Sequence, residues 1–327
     1  MVSTNVERIF LWLATNARGS ARWRGRLLDW VIVRIVSLLP SATEIVYGLG
    51  LGSQLAGVTF ECDEPACART DKTVVVGGRD TSGMTPAAID AYVRAQLAAG
   101  QDLYTLHADA LAALAPDLIL TQDLCRVCAL PAGHVEDALD YLGCTAEVVS
   151  LDPHTLDDVL ATILTVGAHA NARPAAERLV AALRGRLAAV ADRVAGRRRP
   201  RVAVIEWTDP PFTAGHWVPD LVAAAGGRPV AARPGGRSEQ TTWEQIAAAR
   251  PEVVVVAPCG FHLDAAAAQA ELVARELPGL PVWAIDADGL VVRPGPRLVD
   301  GVEALAAILH PDPPGPAVPV GRIRRVA

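Results

Sequence analysis

Lysine is almost missing from this 327-residue chain. The deficit accompanies abundant alanine, glycine, arginine and proline, a bias that a GC-rich genome produces without structural cause, so no function is read from it. No uninterrupted apolar run approaches the roughly 18 residues that a membrane-crossing helix needs. Also missing is a leader in which basic residues precede an apolar stretch and a small-residue cleavage site. Here the apolar stretch 9–14 comes before the basic segment 18–26 and a second apolar stretch at 27–36. As written, the sequence points to the cytoplasm, and residues 1–33 read as a poorly ordered extension or a mis-assigned start. Positive charge is not in excess either. A net charge of −6 leaves no basic footprint of the kind nucleic-acid binders show, so nucleic acid is not expected as a partner. Enzyme signatures are absent too: there is no G-x-S-x-G elbow, no G-x-x-x-x-G-K-[ST] loop and no G-x-G-x-x-G after a strand. The seven histidines are scattered without metal-ligand spacing, and the chain is not expected to be an enzyme.

What is there is a regular alternation. Residues 34–39 read as a buried strand, and Ser41 to Glu44 reads as an S-x-x-E capping box opening a helix. Strand-like runs recur at 55–59, 74–76, 118–121 and 147–150, with helical segments between them, which predicts a parallel sheet covered by helices. Residues 156–194 then carry apolar positions at helical spacing without a strand signal, and only Pro174 could break them. That length exceeds an ordinary globular helix of about 8–20 residues, so it predicts a bridge between two lobes. The alternation resumes at 202–206, 253–257 and 282–285. The expected fold class is therefore α/β: two α/β lobes with central parallel sheets, bridged by one long α-helix. Boundaries follow: an extension at 1–33, a first lobe at 34–150, the bridge at 151–199, a second lobe at 200–310, and a proline-rich disordered tail at 311–327.

Several segments, taken in order, carry a family resemblance: RIVSLLPSATEIVYGLGLG from Arg34, the CDEP turn at Cys62, LAPDLILT, EWTDPPFTAGHWVPDLVAAAGG, WEQIAAARPEVVVV and RPGPRLVDGVEALA. Together they resemble the periplasmic binding proteins whose two lobes are joined by a long backbone helix, and within them the cobalamin-binding branch that serves ABC importers. Parallel α/β lobes bind ligands beyond the carboxyl ends of their strands, so the loops after strands are the cleft candidates. Aromatic residues supply only 5% of the chain, yet Trp207, Phe212, Trp217 and Phe261 stand in those loops beside His262. Such a set suits a broad, flat ligand with a polar rim, such as a corrin. Pro40, Ser41, Asp63, Asp288 and Arg293 complete the expected ligand-binding set, with Asp288 and Arg293 placed by the resemblance. The resemblance also implies one exposed carboxylate per lobe, Asp109 and Glu244, that meets arginines of an ABC permease, and it implies export to the periplasm or cell exterior where the missing leader implies the cytoplasm. A monomer is expected, with cobalamin as ligand and no required cofactor.

Six cysteines depart from that pattern. Cys62 with Cys67, and Cys125 with Cys128, form C-x4-C and C-x2-C pairs in first-lobe cleft loops. Four such thiolates can close a zinc or iron–sulfur site, in an exported protein they can form disulfides, and the third alternative is that they stay unligated. Cys259 stands where it could touch a corrin's metal, and Cys144 reads as core. Three functions stay open: binding of cobalamin or a related corrinoid, binding of a siderophore or haem on the same fold, and a cytosolic cysteine-metal or redox protein that reuses the fold.

Overall fold

The apolar run after Arg34 becomes β1 (Ile35–Ser37), whose three side chains are all buried, as a strand covered on both faces requires. This computed structural model describes residues 32–81, 83–123, 132–142, 144–311 and 321–327, and residues 33–327 form one compact unit. The first lobe continues through α1 (Pro40–Gly48), β2 (Leu55–Thr59), α2 (Ala68–Asp71), β3 (Thr73–Gly78), α3 (Pro86–Ala98), β4 (Tyr104–Leu106), α4 (Ala108–Ala113), β5 (Leu118–Thr121), α5 (Ala132–Leu142) and β6 (Glu147–Ser150). Its strands lie in the order β4-β3-β2-β1-β5-β6. All neighbours are parallel except β4, which runs antiparallel to β3.

One expected device is replaced. Ser41 and Glu44 form no capping box, because α1 starts two residues earlier, with Leu39 at the cap and Pro40 in the first turn. Proline needs no N–H partner there, and Glu44 is released for a longer-range contact described below.

The long bridging helix is preceded by a shorter one. α6 (Leu156–His169) opens on a capping box between Thr155 and Asp158. Asn171 adopts a left-handed φ of 54°, and α7 (Arg173–Val194) restarts with Pro174 in its first turn. Pro174 cannot donate to a preceding turn, so the apolar spacing continued across a backbone break. At 22 residues, α7 spans about 33 Å. Its Ala176, Val180 and Leu183 enter the first lobe's core and Val190 enters the second's.

The second lobe comprises β7 (Arg201–Thr208), β8 (Pro211–Thr213), α8 (Val218–Ala224), β9 (Arg228–Pro229), β10 (Glu239–Gln240), α9 (Trp243–Ala248), β11 (Val253–Val256), α10 (Leu263–Glu276), β12 (Val282–Ile285), α11 (Ala287–Leu290), α12 (Leu298–Leu309) and β13 (Ile323–Arg325). The order is β10-β8-β7-β11-β12-β13, with β9 also beside β7. β7, β11 and β12 are parallel, while β8 and β13 join antiparallel. Both sheets are therefore mixed, with parallel centres. The tail expected to be disordered is corrected in part: residues 323–325 pair with β12, since an edge strand offers unpaired N–H and C=O groups to any extended segment. Residues 312–320 lie outside those described.

Each lobe repeats one local device. Ala115 and Arg250 have left-handed φ values of 45° and 50° just before a proline. Two residues on, Asp117 accepts from the N–H of Arg34 at 2.7 Å and Glu252 from that of Arg201 at 2.9 Å. The acid thus ties the start of each central strand to the turn preceding its neighbour, just after α4 in one lobe and α9 in the other.

Candidate functional site

The loop after β2 meets loops of the second lobe through charge. Asp63 accepts a hydrogen bond from Nη1 of Arg293, and Nη2 of Arg293 donates to Asp288 at 3.2 Å. His262 lies between two acids, its Nε2 3.3 Å from Asp63 and its Nδ1 3.1 Å from Asp286. Asp288 in turn accepts from the N–H of Gly260 at 2.9 Å, which fixes the turn carrying Phe261 and His262. Beside this cluster Arg297 donates from Nε to Glu44 at 3.0 Å and stands 3.5 Å from Glu64. Further out, Arg94 of α3 donates to Gln240 at 3.0 Å. Asp63–Arg293, Glu44–Arg297 and Arg94–Gln240 join residues 230, 253 and 146 positions apart.

Burial and charge set the protonation of the cluster. Burial alone would raise the Asp63 carboxyl, but hydrogen bonding to Arg293 holds it below the ordinary range. Burial raises the Asp288 carboxyl, only partly offset by Arg293. His262 loses some basicity to burial, yet Asp286, Asp288 and Asp63 together raise it above its usual value. Burial pushes Glu61 up to about 7, against an ordinary value of 4.5, with the nearby Asp288 and Asp63 adding to the shift. A carboxyl raised in the folded state contributes stability that is complete below about 4.5 and lost as pH rises through about 7. Glu61→Gln is therefore expected to raise stability at pH 8 by on the order of 1–2 kcal/mol. It should change nothing at pH 4. Thermal melts at the two pH values check this, and equal effects at both would contradict it.

The structure brings together Asp63, His262, Asp288 and Arg293 from the expected set. Trp207 and Phe261 also meet, edge to face, with ring centroids 5.8 Å apart. Trp207 is half-buried and donates Nε1 to the carbonyl of Asp209 at 3.1 Å. Phe212 stands opposite it on β8, half-buried. Pro40 is half-buried at the start of α1. Two expected ligand contacts are corrected. Trp217 is only 5% exposed, belongs to the second lobe's core, and satisfies its indole N–H on the carbonyl of Val291 at 2.8 Å. Ser41 is 3% exposed inside α1, which leaves it little surface to offer.

Cys62 and Cys67 are not joined in a disulfide. Cys62 lies in the core with Sγ 3.1 Å from the Thr43 hydroxyl, whereas Cys67 is exposed with Sγ 3.9 Å from the Tyr47 hydroxyl. The two thiols face different partners because α2 begins between the CDEP turn and β3, carrying Cys67 outward. Cys125 and Cys128 lie outside the described residues. Among the described residues no group of three or more His, Cys, Asp or Glu is arranged to hold a metal ion. Cys259 is exposed, and Cys144 packs partly buried against the first lobe's second apolar cluster.

Sequence reasoning missed Glu44, Glu61, Arg297 and Arg322. Glu61 was within reach, since it adjoins Asp63 in the same loop; Arg297 and Arg322 carried no local signal. It also missed Phe60, which packs 6.2 Å from Tyr104. Asp109 and Glu244 are exposed, each in the first turn of its helix, α4 and α9. Those are the two helices that the repeated turn follows in each lobe.

A sequence model of the periplasmic binding protein family matches residues 35–283. The vitamin B12-binding protein of Vibrio cholerae is 28% identical over 285 residues, covering 84% of this chain and 88% of that one. An uncharacterized ABC transporter substrate-binding lipoprotein of Bacillus subtilis, YvrC, is 26% identical over 289 residues, covering 85% of this chain and 80% of that one. Among solved structures, the periplasmic vitamin B12 binding protein of Vibrio cholerae superposes with a TM-score of 0.59 at 25% identity, covering 84% of this chain and 96% of that one. A periplasmic heme binding protein from Pseudomonas aeruginosa superposes with a TM-score of 0.65 at 23% identity, covering 90% and 98%. No helix of the described residues is long and apolar enough to cross a membrane.

Proposed function

Since the chain belongs to the periplasmic binding protein family, we propose that it binds cobalamin or a related corrinoid between its two lobes and delivers it to an ABC importer. The observation that carries this reading is the charge of the cleft. Two of its described arginines are already committed: Arg293 to Asp63 and Asp288, Arg297 to Glu44 and Glu64. Glu61 adds a further acid. A described site rich in acceptors, with those two cations compensated, suits a ligand whose rim presents amide N–H donors. It suits a haem, with its carboxylates, or an anionic ferric chelate less well, because each would need unpaired cations. Trp207 and Phe261 supply the apolar surface for a flat macrocycle.

The second reading, haem or siderophore, draws on the likeness to heme-binding structures, which is a likeness of fold. The described cysteines lend nothing to the metal or redox reading. Delivery rests on Asp109 and Glu244, one exposed acid on each lobe, which give a permease a two-point contact. A calorimetric panel tests the ligand. Cyanocobalamin is expected to bind at micromolar concentration or below and to quench Trp207 fluorescence, with haem and a ferric siderophore binding at least about tenfold more weakly, a difference of about 1.4 kcal/mol. Tighter binding of haem or the ferric chelate would overturn the corrinoid reading.

A further inference from the structure

Arg322 stands outside the family match, which ends at residue 283, yet it reaches the cleft cluster. β13 docks antiparallel on β12, with Ile285 opposite Ile323 and Ala284 opposite Arg324. The N–H of Asp286 then donates to the carbonyl of Arg322 at 2.9 Å, and Nη1 of Arg322 donates to the Asp286 carboxylate. Gly289 makes the approach possible, because a Cβ there would come within 2.6 Å of that same Nη1. Asp286 is 4% exposed, so its charge requires compensation. Its other oxygen faces Nδ1 of His262 at 3.1 Å and the N–H of Gly289 at 3.3 Å. The far side of His262 faces Asp63 of the first lobe.

We propose that Arg322 is a positioning residue of the cleft: held by β13, it neutralises Asp286 and thereby sets how strongly His262 is drawn to Asp286 or left for Asp63 across the lobes. This rests on the cleft being the ligand site. With Arg322 in place, Asp286 is shared between a guanidinium and an imidazole. Without it, His262 becomes the sole charged partner of a buried carboxylate and must hold its proton more tightly. The groups facing His262 are Asp286, at the cap of α11, Asp288 in its first turn, and Asp63 from the loop after β2. Arg322 and Arg293 stand behind those acids as cations.

The test follows the His262 ring by NMR titration in the full chain without ligand, with His262→Gln identifying its signals. Arg322→Gln is expected to raise the His262 midpoint by about one pH unit, and Arg322→Lys should restore most of it. Ile323→Ala, which loosens β13 without removing the guanidinium, should lower the melting temperature and leave the midpoint in place. In Arg322→Gln the pH midpoint of cyanocobalamin affinity should move with His262. An unchanged His262 midpoint in Arg322→Gln would overturn the positioning role whatever the protein binds. A shifted midpoint in a protein that binds no cyanocobalamin would uphold the positioning role and remove the corrinoid reading.

Discussion

Replacing Arg293 with alanine is expected to cost about 3–5 kcal/mol of folding stability, the range seen when one member of a buried ion pair is removed. Arg293 joins Asp63 of the first lobe to Asp288 of the second, and Asp288 is 7% exposed. Deleting the guanidinium leaves two carboxylates facing each other with less solvent than they need. The melting temperature should fall on the order of 10 °C. Asp288 is already raised by burial and would rise further without its partner. An acid raised in the folded state costs stability as pH climbs, so the defect should be small in acid and grow toward neutrality. Adding Asp63→Asn and Asp288→Asn to Arg293→Ala should recover most of the loss, because no uncompensated charge then remains. A loss below about 1 kcal/mol, the size typical of an exposed pair, would show that the cross-lobe contact is a surface one.

Reversing Asp109 or Glu244 to lysine is expected to abolish ligand handover to the cognate permease in reconstituted liposomes while leaving corrinoid affinity unchanged. Both acids are exposed in the first turn of a short helix, α4 or α9. A hydrogen bond from Thr242 holds the Glu244 carboxyl below its ordinary range, so it is an anion at neutral pH. Charge reversal turns attraction into repulsion at one of two contact points, which a complementary interface tolerates poorly. Reduced affinity for the corrinoid would place these residues in the pocket. Unchanged handover would make them ordinary surface charges and remove the two-point contact from the proposal.

The architecture was legible because its signals are local. The apolar run at Ile35–Ser37, the PDLIL strand and the run at Val253–Val256 each announce a buried strand through consecutive apolar residues. Asp63 and His262 stand in loops after strands, which gather at one end of a parallel sheet, whereas Asp288 and Arg293 are placed by the family resemblance. What escaped depended on distant partners. Ser41 and Glu44 have the spacing of a capping box, but Glu44 answers to Arg297, 253 positions away. Trp217 resembles a cleft aromatic until the carbonyl of Val291 takes up its N–H within the core. The apolar spacing of residues 156–194 continues through the turn at Asn171 because α6 and α7 bury their faces in the same core. β13 has no signature of its own, and only the open edge of β12 makes it a strand. Arg322 inherits that invisibility.

Amide hydrogen exchange with and without saturating cyanocobalamin tests the central claim most directly, because ordering by a bound ligand slows local opening wherever it makes contact. Binding between the lobes predicts slower exchange in both at once: at residues 59–63 in the first, and at 206–213, 259–262 and 286–293 in the second. Slower exchange confined to a single lobe, or lying on α4 and α9, would contradict it.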